Sequence, residues 1–471
     1  MNELNKTMCM NLCSVGFCLL LVACSSSDTA QDIVYDTQEH AFPNFSRHQF
    51  EVFSDDGAQT NAWGDYDSDG DLDLYVGFTS DPTTHNKLYE NQNNGEYFRD
   101  VSDSQGMNRS GTTRQPSFID YDGDGDLDLF VAFRDQPNRL YRNDLQAFVD
   151  VTDISGIGDS RRTVGAAWFD ADGDGDLDLF TANQNGDEDG FYLNLGNGSF
   201  EDVGADLGIN QPGRTATQGS VGVAVGDYDN DGDLDLYVAS YGPDLIWENQ
   251  NDTLGFIKIS SGEGFDGDHH SVAATFADYD NDGWLDLYVG TFISTIAEEP
   301  DYLFKNVHGD FHIVTPSLLL EKGTSHGIAW ADYDGDGDVD LAVANNHAEG
   351  THTLFRNALG PERARKSLQL AILDNQGRWT RAGATVTLSA STWNHSMEGQ
   401  PSYVSSRVVD TGGGYSSQGA TPVHFGIPSG IELVDLTIRW YENGMNIQTV
   451  SNLDHSLYAD RIFEIRLHPT P

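Results

Sequence analysis

Basic residues are scarce: 25 Lys and Arg stand against 75 Asp and Glu in 471 residues, a net charge of −50 at pH 7. That balance excludes nucleic acid as a partner and any broad attraction to anionic lipid, both of which need cationic side chains to meet phosphate. Cysteine is confined to Cys9, Cys13, Cys18 and Cys24, so nothing in the body of the chain can form the disulfides that usually staple an exported protein. Beyond the first two dozen residues no apolar run approaches the length of a membrane-crossing helix. H-E-x-x-H and C-x-x-C are missing, and no G-x-S-x-G stands in a strand-to-helix context, which removes the most recognisable zinc and nucleophile chemistries.

What the chain has in abundance is aspartate at fixed spacing. Six loops read D-x-D-x-D-G-x-x-D or one residue away from it, beginning at Asp65, Asp120, Asp170, Asp227, Asp278 and Asp332, at intervals of 55, 50, 57, 51 and 54 residues. Such a period marks a repeat architecture. Hard carboxylate oxygens crowded on alternate positions suit calcium, and without a cation each close pair of charges costs roughly 1 kcal/mol or more even under strong screening. The expected ligand sets are Asp65, Asp67, Asp69, Asp71 and Asp73 in the first loop, then Asp120, Asp122, Asp124, Asp126 and Asp128 in the second. Asp170, Asp172, Asp174, Asp176 and Asp178 form the third and Asp227, Asp229, Asp231, Asp233 and Asp235 the fourth. Asp278, Asp280, Asp282, Trp284 and Asp286 form the fifth, and Asp332, Asp334, Asp336, Asp338 and Asp340 the sixth, giving about six structural Ca2+ ions. An EF-hand is excluded because the twelfth residues are Val76, Val131, Thr181, Val238, Val289 and Val343 where that motif needs Glu. Trp284 cannot ligate through its side chain, so the seventh position is expected to use its carbonyl, leaving Asp71, Asp126, Asp176, Asp233 and Asp338 as a solvated acidic fringe.

Leu72, Leu74 and Val76 alternate with Asp73 and Tyr75 after the first loop, and the pattern recurs, placing each loop at a β-hairpin tip. Apolar pairs ending at Asn91, Asn143, Asn194, Asn249, Asn306 and Asn357 predict a third strand, and runs centred on Phe50, Phe98, Phe148, Phe200, Phe256 and Phe311 predict a fourth. Four strands repeated about every fifty residues, without helical periodicity, are the pattern of a propeller blade. These residues resemble the FG-GAP/VCBS repeat family. The resemblance implies an all-β protein with a calcium-binding β-propeller over residues 46–357, six repeat units being visible and the blades numbering six or seven.

The ends differ from this body. Met8 to Val22 is nearly uncharged and leads into Leu21-Val22-Ala23-Cys24, so residues 1–23 read as a secretory signal peptide. The Leu-Val-Ala-Cys end looks like a bacterial lipobox, which implies lipidation at Cys24, a tether over 24–45, export, and a lipid anchor in the outer membrane of a Gram-negative bacterium. Membrane contact is then expected through the N-terminal lipid only. Residues 358–471 carry ten acidic and nine basic side chains, leaving −49 on the preceding 357. Alternating runs at 368–373, 384–388, 404–409, 423–427, 433–440 and 462–467 predict a C-terminal β-sandwich domain. Gly383-Ala384-Thr385-Val386, Gly414-Tyr415-Ser416-Ser417-Gln418, His424-Phe425-Gly426-Ile427 and Asp435 to Trp440 resemble the ASPIC/UnbV domain. Trp440-Tyr441-Glu442-Asn443-Gly444 departs from that family's Trp-Pro-x-Gly and puts the local turn in doubt. The combination is similar to the CRTAC1-like family of secreted proteins.

If the strand before each loop is innermost, its start lies at the channel mouth opposite the Asp tips. Arg114, Arg161, Arg162, His269, His270 and His326 precede these strands, while His85, His347 and His352 follow the second strands. Arg114, Arg162, His270, His326 and His347 are the candidate ligand face, weighed against their being ordinary loop residues. No catalytic set can be named. The expected function is a calcium-stabilised, surface-anchored lipoprotein acting as a non-catalytic binding or adhesion module for a protein or glycan at the cell surface. The alternative is an extracytoplasmic enzyme acting on polysaccharide at the channel mouth.

Overall fold

The computed structural model describes residue 49 and residues 51–469, apart from 79–83, 93–94, 145–146, 251–253, 260–264, 266, 268, 293–299, 318, 320–324, 346–351, 392–402, 413–414, 416, 419–421 and 460. The signal peptide, Cys24, the tether, Phe50 and His347 therefore lie outside the described residues. Gln49–Pro471 forms one compact unit.

Six antiparallel sheets succeed one another, one per Asp loop. In the first, Ala58–Gly64, Asp73–Phe78, Lys87–Gln92 and Tyr97–Asp100 lie side by side in chain order, and the Asp loop joins the first strand to the second. Blades two to five repeat this order with first strands at Thr113–Ile119, Thr163–Phe169, Gly219–Gly226 and Ser271–Ala277. The sixth has three described strands, Ser325–Ala331, Asp340–Asn345 and His352–Phe355. First strands of consecutive blades adjoin, so they line the centre of a propeller-like array. Period-two alternation gives each blade two apolar faces. Tyr75, Leu88 and Val101 of blade one pack on Phe118, Leu129 and Val131 of blade two, all buried, and each such side chain contributes roughly 1.5–3 kcal/mol.

One strand expectation needs correction. Phe98, Phe148, Phe200, Phe256 and Phe311 do sit in fourth strands, but each belongs to the blade whose Asp loop precedes it. The run around Phe50 has no such blade before it. Its neighbours Glu51–Phe53 form a turn, and Phe53 packs on Tyr89 and Phe98 of blade one with ring centroids 4.8 and 5.5 Å away.

Two polar contacts, repeated from blade to blade, stitch the array. The Asn closing the third strand donates from Nδ2 to the eighth-position carbonyl of its own loop and to the second-position carbonyl of the preceding loop. Asn143, Asn194, Asn249, Asn306 and Asn357 reach Tyr66, Tyr121, Ala171, Tyr228 and Tyr279 at 2.7–3.0 Å. At the other end of that strand, Asn86, Asn138, Asp189, Asp244 and Asp301 are fully or almost fully buried. Each accepts an amide at the end of its blade's second strand, from the last residue or, in blade four, the one before it, and each bonds a hydroxyl at the start of the next blade, on Thr113, Thr163, Ser220, Ser271 and Ser325.

The last of these latches carries a pH prediction. Burial pushes the Asp301 carboxyl up to about 6, against the lowering effect of its hydrogen-bond donors, led by Ser325. The folded state thus holds this proton more tightly than the unfolded chain. Stability from this group is greatest below the ordinary carboxylate value and is lost as pH rises from about 4 to about 6. Asn86 fills the same station while donating to Tyr75 Oη at 2.8 Å, so Asp301→Asn can keep every contact by reversing the Tyr288 and Ser325 bonds, Ser325 Oγ donating instead to Asn345 Oδ1 at 2.9 Å. D301N is expected to gain about 1–3 kcal/mol at pH 7 and to flatten the slope between pH 4 and 6 in urea titrations. A loss at pH 7 would contradict this.

The C-terminal segment forms two sheets. Val423–Gly426, Ser367–Leu373 and Phe463–Arg466 make one; Val404–Val408, Thr385–Ala390, Leu433–Tyr441 and Met445–Asp454 make the other. Leu368, Leu370, Val386, Leu388, Leu436 and Ile438 fill the space between, all fully buried. Met445–Asp454 is a strand that hydropathy did not signal, because most of it is partly or fully exposed. It returns from Leu433–Tyr441 through Asn443 and Gly444 at φ 54° and 120°, the Asn-Gly hairpin turn that stands in the doubtful segment.

Candidate functional site

The Asp loops are wound by their own carboxylates. Oδ2 of Asp65, Asp120, Asp227, Asp278 and Asp332 accepts the amide of the sixth-position glycine at 2.7–3.1 Å. Gly70, Gly125, Gly232, Gly283 and Gly337 all hold positive φ, which is why only glycine serves there. The ninth-position Asp anchors the loop to its blade: Asp73, Asp128, Asp178, Asp235, Asp286 and Asp340 accept the amide of the third-strand Asn at 2.8–2.9 Å.

Carboxylate oxygens of Asp65, Asp67 and Asp73 lie within 4.8 Å of one another, as do those of Asp120, Asp122 and Asp128, and of Asp170, Asp172 and Asp174. Asp227, Asp229 and Asp231, and Asp278, Asp280 and Asp282, form equivalent clusters. Each can share one metal ion. Burial and then neighbouring carboxylates push Asp65, Asp67 and Asp122 up to about 6, the mark of charges gathered without enough counter-charge. Oδ1 of Asp65, Asp122, Asp126, Asp176 and Asp338 is buried with no hydrogen-bond partner among the described residues. Buried acceptors left open in this way are costly unless a cation meets them, so the donor set fits a hard divalent ion.

The seventh position corrects the sequence reading. Asp126, Asp176 and Asp338 are only 6, 3 and 0 % exposed, so they are not a solvated fringe, and Asp71 and Asp233 are half-buried. In loops three and six the turn after the third strand covers this position, Leu359 N donating to Asp338 Oδ2 at 2.8 Å and Asp176 Oδ2 standing against Gly196. The C-terminal domain is seated on the same Asp-loop face. Arg378 donates to Ser68 O at 2.6 Å over loop one, and Asn443 N to Gly123 O at 2.7 Å over loop two. Gly175 of loop three leaves no room for a Cβ beneath Met445. Ser406 N donates to Asp227 Oδ2 at 2.8 Å, Tyr403 Oη to Gly283 O at 3.0 Å and Gln369 Nε2 to Asp332 Oδ2 at 2.6 Å, over loops four, five and six. Burial raises the Asp227 carboxyl well above its ordinary value and that of Asp278 to about 7, against the opposing charge of the buried Arg407 beside both. Trp284 meets His308 edge-on at 4.9 Å.

From this face the C-terminal chain enters the channel. Thr411 Oγ1 donates to Trp168 O at 2.7 Å, and Ser417–Gln418 pairs in parallel with Asn61 and Ala62 as an extra innermost strand of blade one. Gln418 bonds both main-chain groups of Phe118, accepting from N at 2.6 Å and donating to O at 2.9 Å. A cavity of about 570 Å3 remains beside this plug, lined in part by Trp63, Ile328, Trp330, Arg407 and His424.

The opposite mouth brings together part of the expected ligand face. The His326 ring lies 5.0 Å from Tyr415 and 6.1 Å from Phe292; His270 lies 5.2 Å from Tyr241. Burial, then Arg114, pushes His326 down to about 4, so it is neutral at physiological pH. Arg134, which sequence reasoning overlooked, is lowered by burial and then by Arg114, with Tyr415, Tyr241 and Arg162 also near. Arg162 is half-exposed and engaged by Asp187 at 2.9 Å. Arg161 pairs with Asp159 and Asp202 and His269 with Tyr302, so neither is available to the channel.

Comparison with known proteins agrees with this architecture. The chain carries FG-GAP-like repeats at residues 65–131, 120–181, 170–238 and 227–289, and an ASPIC and UnbV domain at 377–460. It is homologous to cartilage acidic protein 1, being 25 % identical to the mouse and human proteins over 279 residues, which is 57 % of this chain. It spans about two fifths of those relatives' length, 40 and 39 %. Among solved structures, an Agrocybe aegerita lectin that recognises non-reducing terminal N-acetylglucosamine is similar at 15 % identity and a TM-score of 0.39, over 64 % of this chain and 80 % of the lectin.

Proposed function

We propose that the protein is a calcium-pinned, surface-anchored binding module, with Ca2+ in the Asp loops and its ligand at the channel mouth away from them. The carrying observation is the seating of the C-terminal domain: it covers all the Asp loops and plugs the channel from their side, so the free mouth is the one around Arg114, Arg134, His326 and Tyr415. Two guanidinium groups held close together beside aromatic rings, in a chain of net charge −50, favour an acidic saccharide or an acidic peptide end. Lipidation at Cys24 and residence in the outer membrane complete the proposal and rest on the N-terminal sequence alone.

The test is a glycan and acidic-peptide array probed with the wild-type chain and with Arg114→Ala/Arg134→Ala. Retention of an acidic ligand, weakened at least tenfold in the double variant with an unchanged melting curve, supports the reading. Equal retention by both proteins sinks the assigned face. Multiple-turnover cleavage of a retained polysaccharide would favour the enzymatic alternative.

A further inference from the structure

The residue just before each third-strand Asn differs from blade to blade, being Glu90, Arg142, Leu193, Glu248, Lys305 and Arg356, and in blades five and six it reaches the third and fifth positions of its loop. Glu90 and Glu248 add a carboxylate beside loops one and four, accepting from Tyr66 Oη at 3.4 Å and Tyr228 Oη at 3.0 Å. Arg142 turns to Asp144 at 3.1 Å. Arg356 reaches Asp334 at 2.6 Å and Asp336 at 3.2 Å, but its side chain is 59 % exposed and free to swing into water. Lys305 is different. It pairs with both Asp280 and Asp282, the latter at 2.8 Å, and is only 25 % exposed.

Loop five has a second cation of its own. Arg363, on the short helix Pro361–Ala364 that leads into the C-terminal domain, pairs with Asp280 Oδ1 at 3.0 Å and also donates to the Asp280 carbonyl. Loop five alone has Trp284 at the seventh position, so it holds four carboxylates where the others hold five. Asn281 Nδ2 fastens it to Gly337 O at 3.0 Å and to Arg363 O and Ala364 O at 3.3 Å each. Lys305, with Arg363 at 48 % side-chain exposure beside it, sets two positive charges on the two central carboxylates, equal to the charge of one divalent ion, at oxygens that would otherwise bind it.

We infer that the fifth Asp loop is closed by Lys305 and Arg363 in place of a calcium ion, making it a metal-independent pin between the blades and the C-terminal domain. This rests on the calcium reading of the other loops and limits it: the chain binds one ion fewer than it has Asp loops.

Equilibrium dialysis of the full chain against calcium, with metal analysis, tests it. Lys305→Gln/Arg363→Gln is expected to bind one more calcium per chain than wild type; an equal count in the two proteins overturns the inference. The wild-type count supplies a readout that does not need that variant to fold: no more than five calcium ions per chain are expected at saturation, and six overturn the proposal. Absence of calcium from every loop would instead refute the calcium reading, a separable result.

Discussion

Stripping calcium with excess EGTA is expected to lower the melting temperature by about 20 °C or more relative to calcium-saturated protein. Each ion that binds only the folded chain contributes about 2.7 kcal/mol when free calcium is a hundred times its dissociation constant. Occupation of five loops therefore supplies on the order of 13 kcal/mol, as much as the whole stability of many domains. The structure shows why little can replace it. The loop carboxylates are held together by backbone amides, Asp120, Asp128, Asp227 and Asp235 among them almost wholly buried, and burial raises all four well above the ordinary value. Without a cation they must take up protons or separate. Separation would also lift the C-terminal domain, which is bonded to the same loops. Magnesium should restore little, since it resists the crowded oxygen set that calcium accepts. The readout is a thermal melt followed by circular dichroism in calcium, in EGTA, and in EGTA followed by magnesium. A melting temperature unchanged in EGTA refutes structural calcium.

Much of this was legible in the chain because the ligand spacing and the strand alternation are local signals. The hairpin setting of the loops, the third strand ending in Asn and the turn of charge near residue 357 all follow from residues within one repeat. The second blade-to-blade latch was equally local and was passed over. Asn86, Asn138, Asp189, Asp244 and Asp301 each stand five residues before the third-strand Asn, with an apolar and then an aromatic residue between. What could not be read was the seating of the C-terminal domain. It depends on contacts across hundreds of residues, such as Gln418 with Phe118 and Arg378 with Ser68. Asp126, Asp176 and Asp338 are likewise buried although local hydrophilicity assigns them to solvent. The Tyr415, Arg114 and Arg134 grouping has the same long-range cause, since Tyr415 comes from the distant C-terminal chain to the blade-two hairpin that carries both arginines.

Replacing Asn194 by Leu is expected to cost roughly 3–5 kcal/mol, whereas Asn91→Leu should cost about 1–2 kcal/mol, although both close the third strand of their blade. Asn194 Nδ2 serves two buried carbonyls, Tyr121 O at 3.0 Å in the preceding loop and Leu177 O at 3.2 Å in its own. Tyr121 and Leu177 are 3 and 5 % exposed, so leucine leaves both acceptors buried and unmet, and each such group costs about 1–3 kcal/mol. Asn91 stands in the first blade, with no earlier loop to reach, and its Nδ2 meets Leu72 O at 3.0 Å. The difference between the two variants thus isolates the contact between blades from the contact within one. Chemical denaturation at saturating calcium measures it, with calcium content checked in both proteins so that a lost ion is not mistaken for a lost bond. Equal losses would mean that the asparagines only shape their own loops and that apolar packing alone joins the blades. A loss two to three times greater at Asn194 makes the asparagine the link by which one filled loop supports the next.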